Sequence, residues 1–188
     1  MRATASSHSC KQFLEERRAM SRHPCPICGF KTLEQRGEHD CCLVCGWEDD
    51  VRRISADSIS PANGDLAASV GQANYRIFRV ANPRVVPFIF PPGETARVDV
   101  PLFPEAQDLI LRHQTNGIPG FDVTDVLRSD LFQIVQDTLS NGKSHSRQCA
   151  AKLLSHFPQS LLEVQECLRL YTADADRIVR GICVAHSS

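Results

Sequence analysis

The sequence predicts an α+β chain in which a small cysteine-rich unit precedes a mostly helical half. Two C-x-x-C pairs within residues 25–45 predict the first part. Apolar residues recurring every three to four positions beyond residue 105 predict the second. Between them, residues 82–104 hold six of the eleven prolines, a density that marks a boundary. The predicted order is a polar tail with a short helix over 11–20 in residues 1–22, the cysteine unit over 23–80, a connector over 81–104 and a helical part over 105–188.

The pairs are Cys25-Pro26-Ile27-Cys28 and Cys42-Leu43-Val44-Cys45, and each runs into a glycine and an aromatic, Gly29-Phe30 and Gly46-Trp47. Four soft ligands in a tetrahedron suit Zn²⁺, and two facing C-x-x-C turns supply them. The sequence therefore predicts one zinc ion on Cys25, Cys28, Cys42 and Cys45. A closed set of four thiolates makes the ion structural, because a catalytic zinc keeps one position open. Iron fits the same knuckles, and zinc is the commoner occupant. A redox role for C-P-x-C would need a strand-helix-strand setting that this sequence lacks. Cys41 points away from its neighbour Cys42 and reads as spare; His23 and His39 read as surface residues.

Around the pairs, residues 30–33 read as a strand and Gly37 as a turn. Leu66, Val70, Ala73 and Ile77 recur at helical spacing, although Gly71 interrupts them. Trp47 is expected to cover the metal or to pack on this helix. The pieces VVPFIF and ARVDVPLF read as edge strands or extended connectors, since each contains a proline. A helix is expected near 105–113, and Gly117 to Gly120 breaks it.

Residues 129–158 then align without gaps to residues 159–188, placing Leu131 on Leu161, Ile134 on Val164 and Arg147 on Arg177. Each unit reads as a helix pair. Gly142 stops the first helix, Ser160 with Glu163 suggests a capping box, and Asp122, Asp125, Asp174 and Asp176 fall at expected helix starts. The pattern resembles short HEAT-like helical repeats; a generic helical bundle satisfies it too.

The run CPICGFKTL, then CLVCGWEDD, then ANGDLAASVGQANYRIF resembles the cysteine-rich CPCC family, over about residues 24–80. Ile27 stands where that family's motif has an extra cysteine, and all four ligand cysteines remain. The resemblance implies a bacterial, cytosolic, zinc-dependent fold. It also implies proximity to toxin genes of bacterial competition systems, whose neighbours often serve as immunity proteins.

Charge narrows the function classes. The chain carries 21 Lys and Arg against 22 Asp and Glu. One zinc on four thiolates makes the cysteine unit about two charges more acidic than the formal count. A ribbon that tracks nucleic acid needs a basic stripe, and only Arg17-Arg18 and Arg52-Arg53 occur as basic pairs. No nucleophile elbow, phosphate-cradling glycine loop or H-E-x-x-H motif is present, so a non-enzyme is expected. No apolar run is long enough for a membrane helix and no signal-type segment is visible, which predicts a cytoplasmic protein without membrane partners. The expected function is protein binding, most specifically an immunity protein that covers a cognate toxin. Glu48, Asp49 and Asp50 are then candidate partner-binding groups that would steer a basic toxin. The alternative is a nucleic-acid-associated zinc-ribbon accessory or regulatory protein.

Overall fold

The computed structural model describes residues 22–50, 54–116, 118, 120 and 130–187. The expected tail, the helix over 11–20, both arginine pairs and Asp122 with Asp125 lie outside these residues. Within them, an N-terminal region of small antiparallel sheets and one helix is followed by a mostly helical region.

Three two-stranded antiparallel pairs build the first region. Strand β1 (His23–Pro24) pairs with β2 (Lys31–Leu33), and β3 (Asp40–Cys41) pairs with β4 (Glu48–Asp49). Each of these hairpins encloses one C-x-x-C turn. Strand β5 (Ile59–Ser60) pairs with β6 (Leu66–Ala67), joined through a short 3₁₀ turn over Pro61–Asn63 that Ser60 caps. The predicted helix follows at once as α1 (Ala68–Phe78).

Gly71 has a steric reason to interrupt the apolar stripe of α1. Trp47 is fully buried, and a Cβ at Gly71 would lie 2.8 Å from its indole ring. The helix surface is hollowed at this point so that the tryptophan can lie against it. Of the two expected roles for Trp47, packing on the helix is the one observed.

The proline-rich stretch is packed rather than free. Asn82 caps Arg84 N–H and Pro83 opens a second 3₁₀ turn over Pro83–Phe88, so much of VVPFIF is helical and forms no strand. Val86 and Ile89 from this stretch are buried with the helical half, and the Ser146 hydroxyl donates to Ile89 O at 3.2 Å. The chain then returns to the cysteine unit. Lys31 N–H donates to Ala96 O and Val98 N–H to Gly29 O, in an extended path as expected for ARVDVPLF.

Helix α2 (Pro104–Asn116) lies against α1. Two helix pairs complete the chain: α3 (Asp130–Asn141) with α4 (Ser144–Leu154), then α5 (Leu162–Leu170) with α6 (Arg177–His186). The second helices of the two pairs, α4 and α6, pack on each other. Gly142 ends α3, where its N–H donates to Thr138 O at 2.8 Å. The expected capping box does not form: α5 is capped by Leu161 with no side-chain hydrogen bond. Asp176 caps α6 through Ile178 and Val179 N–H. Its other oxygen accepts from Ser144 and Gln148 on α4, and Arg147 pairs with Asp174. These polar links join the two helix pairs along one edge.

One apolar core runs from Phe78, Val80, Val86 and Ile89 through Leu131, Leu139, Leu154 and Phe157 to Val164, Val179 and Cys183. A second surrounds the cysteines and includes Ile27, Leu33, Trp47, Leu66 and Tyr75.

Two glycines should respond oppositely to alanine. Gly71→Ala forces its methyl against Trp47 and is expected to cost about 1–3 kcal/mol. Gly181→Ala meets nothing within 4 Å and should stabilise α6 by about 0.5–1 kcal/mol; chemical denaturation of both variants checks the pair.

Asp176 carries a pH signature. The Ser144 hydroxyl, aided by Gln148 and the two capped N–H groups, pulls its carboxyl from an ordinary 3.8 to about 2. A depressed folded-state pKa gives stability that is present above the ordinary value and lost as pH falls through the folded one. Thermal midpoints of the protein and of Asp176→Asn should therefore converge between about pH 4 and pH 2 and differ above it.

Candidate metal centre

The two hairpins bring four sulfurs together. Cys25 Sγ lies 3.6 Å from Cys45 Sγ, and Cys28 Sγ lies 3.5 Å from Cys42 Sγ. All four sulfurs fall within 4.8 Å of one another and all four residues are buried. A tetrahedral zinc with Zn–S bonds of about 2.3 Å would space its sulfurs at about 3.8 Å. The cysteines are unbridged thiols, and the donor set fits a closed metal site. This Cys₄ cluster is capable of coordinating one metal ion, which would be held entirely by protein sulfur.

Both turns close in the same way. Gly29 N–H donates to Cys25 O at 2.9 Å, and Gly46 N–H donates to Cys42 O at 2.7 Å. Each glycine then leaves its turn at positive φ, 81° and 77°, the left-handed region where other residues are strained. Each also meets a close neighbour: a Cβ would come within 2.2 Å of Val98 O at Gly29 and of Val85 at Gly46.

Burial pushes the Cys25 and Cys45 thiols well up, whereas hydrogen bonds from Cys25, Cys28 and Cys45 hold Cys42 far below its usual range. An incoming divalent ion would displace the remaining protons, so its affinity rises with pH.

Cys41 stands outside the cluster, exposed. Partial burial, then the Glu48 and Asp40 carboxylates, push its thiol up, which disfavours a nucleophilic thiolate. His23 is exposed in β1, and His39 contacts Glu48 at 2.9 Å; neither belongs to the cluster.

The three acidic candidates have separate places. Asp49 is fully buried; its carboxylate accepts from Arg36 Nε at 2.7 Å and Gly37 N–H at 2.9 Å. It therefore braces the loop that connects the two hairpins, between β2 and β3, and is turned inward. Glu48 holds His39 and stays partly accessible. Asp50 is half-buried and accepts from the Ser60 hydroxyl at 2.7 Å.

Several residues that steady the knuckles escaped the sequence reading. Asn63 accepts from Glu48 N–H and donates to Glu48 O. Gln72 donates to Pro26 O and Pro101 O and accepts from Phe103 N–H. Arg97 donates to Cys28 O at 2.9 Å, and Ala81 N–H donates to Cys45 O at 2.7 Å. The visible trace of Gln72 was its place beside the apolar stripe of α1; contacts this far apart in sequence leave no local pattern.

Residues 23–95 match the family described as Cysteine-rich CPCC. The N-terminal segment is thus a CPCC segment, zinc-ribbon-like and built around a potential metal-binding cysteine cluster. The match runs past the 24–80 likeness into the proline-rich stretch, where Val85 covers Gly46. No curated protein and no solved structure matches the chain. Ile27, where the CPCC motif would carry a further cysteine, is buried with Trp47 in the cluster's own core, so its position calls for an apolar side chain and no ligand.

Elemental analysis should return about one metal equivalent, lost in Cys42→Ser and kept in Cys41→Ser; the reverse pattern would put the wrong cysteine in the cluster. Because Ala81 and Val85 tie the second knuckle to the helical core, chelation is expected to lower the melting midpoint of the helical circular dichroism signal as well. A helical midpoint that ignores chelation would show that the CPCC segment and the helices melt as separate units.

Proposed function

We propose that this protein is a non-enzymatic protein-binding module of the bacterial cytoplasm, an immunity protein that neutralises a cognate toxin by direct contact. In this reading the cysteine cluster holds one structural Zn²⁺ and sets the shape of the CPCC segment, and the helical half supplies the binding surface.

The observation that carries the reading is the set of apolar side chains left exposed on the last helix pair. Val164, Cys167, Leu168, Val179 and Cys183 already fill the core, yet Leu162, Leu170, Ile178 and Val184 are also apolar and at least half exposed. Leu170 is 76% exposed. Apolar side chains concentrated on two adjacent helices mark a contact surface more often than isolated ones do. A standard interface covers roughly 800 Å² per partner, a size that two adjacent helix pairs can present. The CPCC likeness, with its association with toxin neighbourhoods, points the same way. Zinc is preferred over iron because a buried structural site has no use for an electron-transfer ion. No helix among the described residues is long and apolar enough to cross a membrane, which suits a partner met in solution.

Co-expression with the adjacent gene tests the reading. Rescue from that gene's toxicity, together with a complex stable on size exclusion, is the expected outcome. Leu170→Asp and Val184→Asp should each weaken the complex about tenfold or more while leaving the metal content and melting midpoint unchanged. Binding to nucleic acid at physiological salt, with no response to the neighbouring gene product, would support the accessory-protein alternative instead. A colourless protein with one zinc equivalent confirms the ion; a visible thiolate-to-iron absorption would replace it.

A further inference from the structure

A cleft of about 280 Å³ opens at the seam between the CPCC segment and the helices. Phe30 and Val44 line it from the two knuckles, Tyr75 and Arg79 from the end of α1, Arg97 from the returning proline-rich strand and His145 from the first turn of α4. The volume lies near the small end of known small-molecule sites, which run from about 300 to 1,000 Å³. Two features of its lining point to a ligand.

The first is charge. The lining includes two guanidiniums and an imidazole and no carboxylate. Among the described residues, neither Arg79 nor Arg97 forms an ion pair with an acidic side chain. Arg97 gives its Nε–H to Cys28 O, which anchors the side chain and leaves its terminal amino groups for another acceptor. Arg79 sits at φ 67° at the C-terminal cap of α1, a place where glycine is the usual residue. A long cationic side chain held in the left-handed region, beside a cleft, is the kind of local cost that accompanies a binding role.

The second is the flat apolar surface beneath the charges. The Arg97 guanidinium lies 5.5 Å from the centre of the Phe30 ring, and that of Arg79 lies 5.8 Å from the centre of the Tyr75 ring. Val44 is buried between the second pair of cysteines. Each guanidinium lies over a ring, and two such flat cation–ring stacks favour a ligand that has a flat body as well as a negative group.

We propose that this cleft binds a small organic anion with a planar ring, such as a nucleoside monophosphate or an aryl carboxylate. The ring lies against the stacked Arg97–Phe30 and Arg79–Tyr75 pairs, and the free edges of the two guanidiniums receive the phosphate or carboxylate. No described residue of α5 or α6 lines the site, so it is separate from the apolar side chains exposed on those helices.

Calorimetric titration of the metal-loaded full chain tests this. The probes are the four ribonucleoside 5′-monophosphates, benzoate and cinnamate, with inorganic phosphate and uncharged adenosine as the two half-ligands. Saturable submillimolar binding of at least one ring-bearing anion is expected, with both half-ligands weaker by about tenfold or more. Preference for a nucleotide or for a carboxylate identifies the anionic group, and either supports the site. Arg79→Gln and Arg97→Gln should each reduce affinity about tenfold or more, whereas Arg169→Gln, on α5, should not. Metal content and melting midpoint are measured for each variant. If Arg97→Gln releases the metal, Arg79→Gln decides. No saturable binding by any ring-bearing probe, equal binding of inorganic phosphate, or affinity that survives Arg79→Gln would each overturn the proposal.

Discussion

Four sulfurs confined within 4.8 Å of one another, all buried, set the terms for the rest of the CPCC segment. Its strands are two or three residues long, too short to stand as sheets on their own. What brings them together is the demand that two turns meet. In small zinc peptides that demand is met with an apparent binding energy of about 10–16 kcal/mol, which acts as folding energy. The turns then impose their own requirements outward. Gly29 and Gly46 must take positive φ, and the surfaces they expose are so close to Val98 and Val85 that the later chain is fitted to them. The proline-rich stretch is shaped by the knuckles on one side and by the helical core on the other.

A segment with so little apolar core relies on buried amides for its remaining order. Asn63 bridges both backbone groups of Glu48, Asn82 donates to Asn63 O at 2.9 Å, and Gln72 joins the first knuckle to residues 101–103. Each would be costly to bury without a partner and becomes directional once it has one. Asp49 belongs to the same set. Its charge is offset by Arg36 and by a backbone N–H, which turns a run of three acidic residues into one internal brace and two partly accessible neighbours.

The parts legible in the sequence were those with a local period or a fixed spacing. The C-x-x-C turns, the glycine after each, α1 and the paired helices beyond residue 129 all announce themselves within a few residues. Gly71 was misleading as a propensity signal, since its reason lies in Trp47, twenty-four residues earlier. The expected capping box at Ser160 and Glu163 fails because the N-cap of α5 is Leu161, one residue later than that motif demands. VVPFIF reads as strand from its β-branched and aromatic residues, yet Asn82 and Pro83 start a 3₁₀ turn that overrides the propensity. Asp49 follows a related logic: a run of charges looks solvated unless the cation that pairs with it, here Arg36 in the connection between the two hairpins, can be seen.

The packing of the proline-rich stretch has a consequence for how the two halves behave together. A connector that merely spanned them would let each fluctuate alone. Here Ala81 N–H reaches Cys45 O, Val85 lies against Gly46 and, one residue later, Val86 sits in the helical core. Within six residues the backbone passes from the metal's ligand loop to the centre of the helices. Any shift of the second knuckle must move Val85, and Val85 cannot move without disturbing Val86 and Ile89, because packed interiors yield little before they rearrange. Order that an ion on the cluster would impose could therefore reach α3 and α4 through side-chain contact, and a ligand seated where Val44, Arg79 and His145 meet would stabilise the same arrangement from outside. The route consists of contiguous packed residues and makes the joint between the halves part of the molecule's working structure.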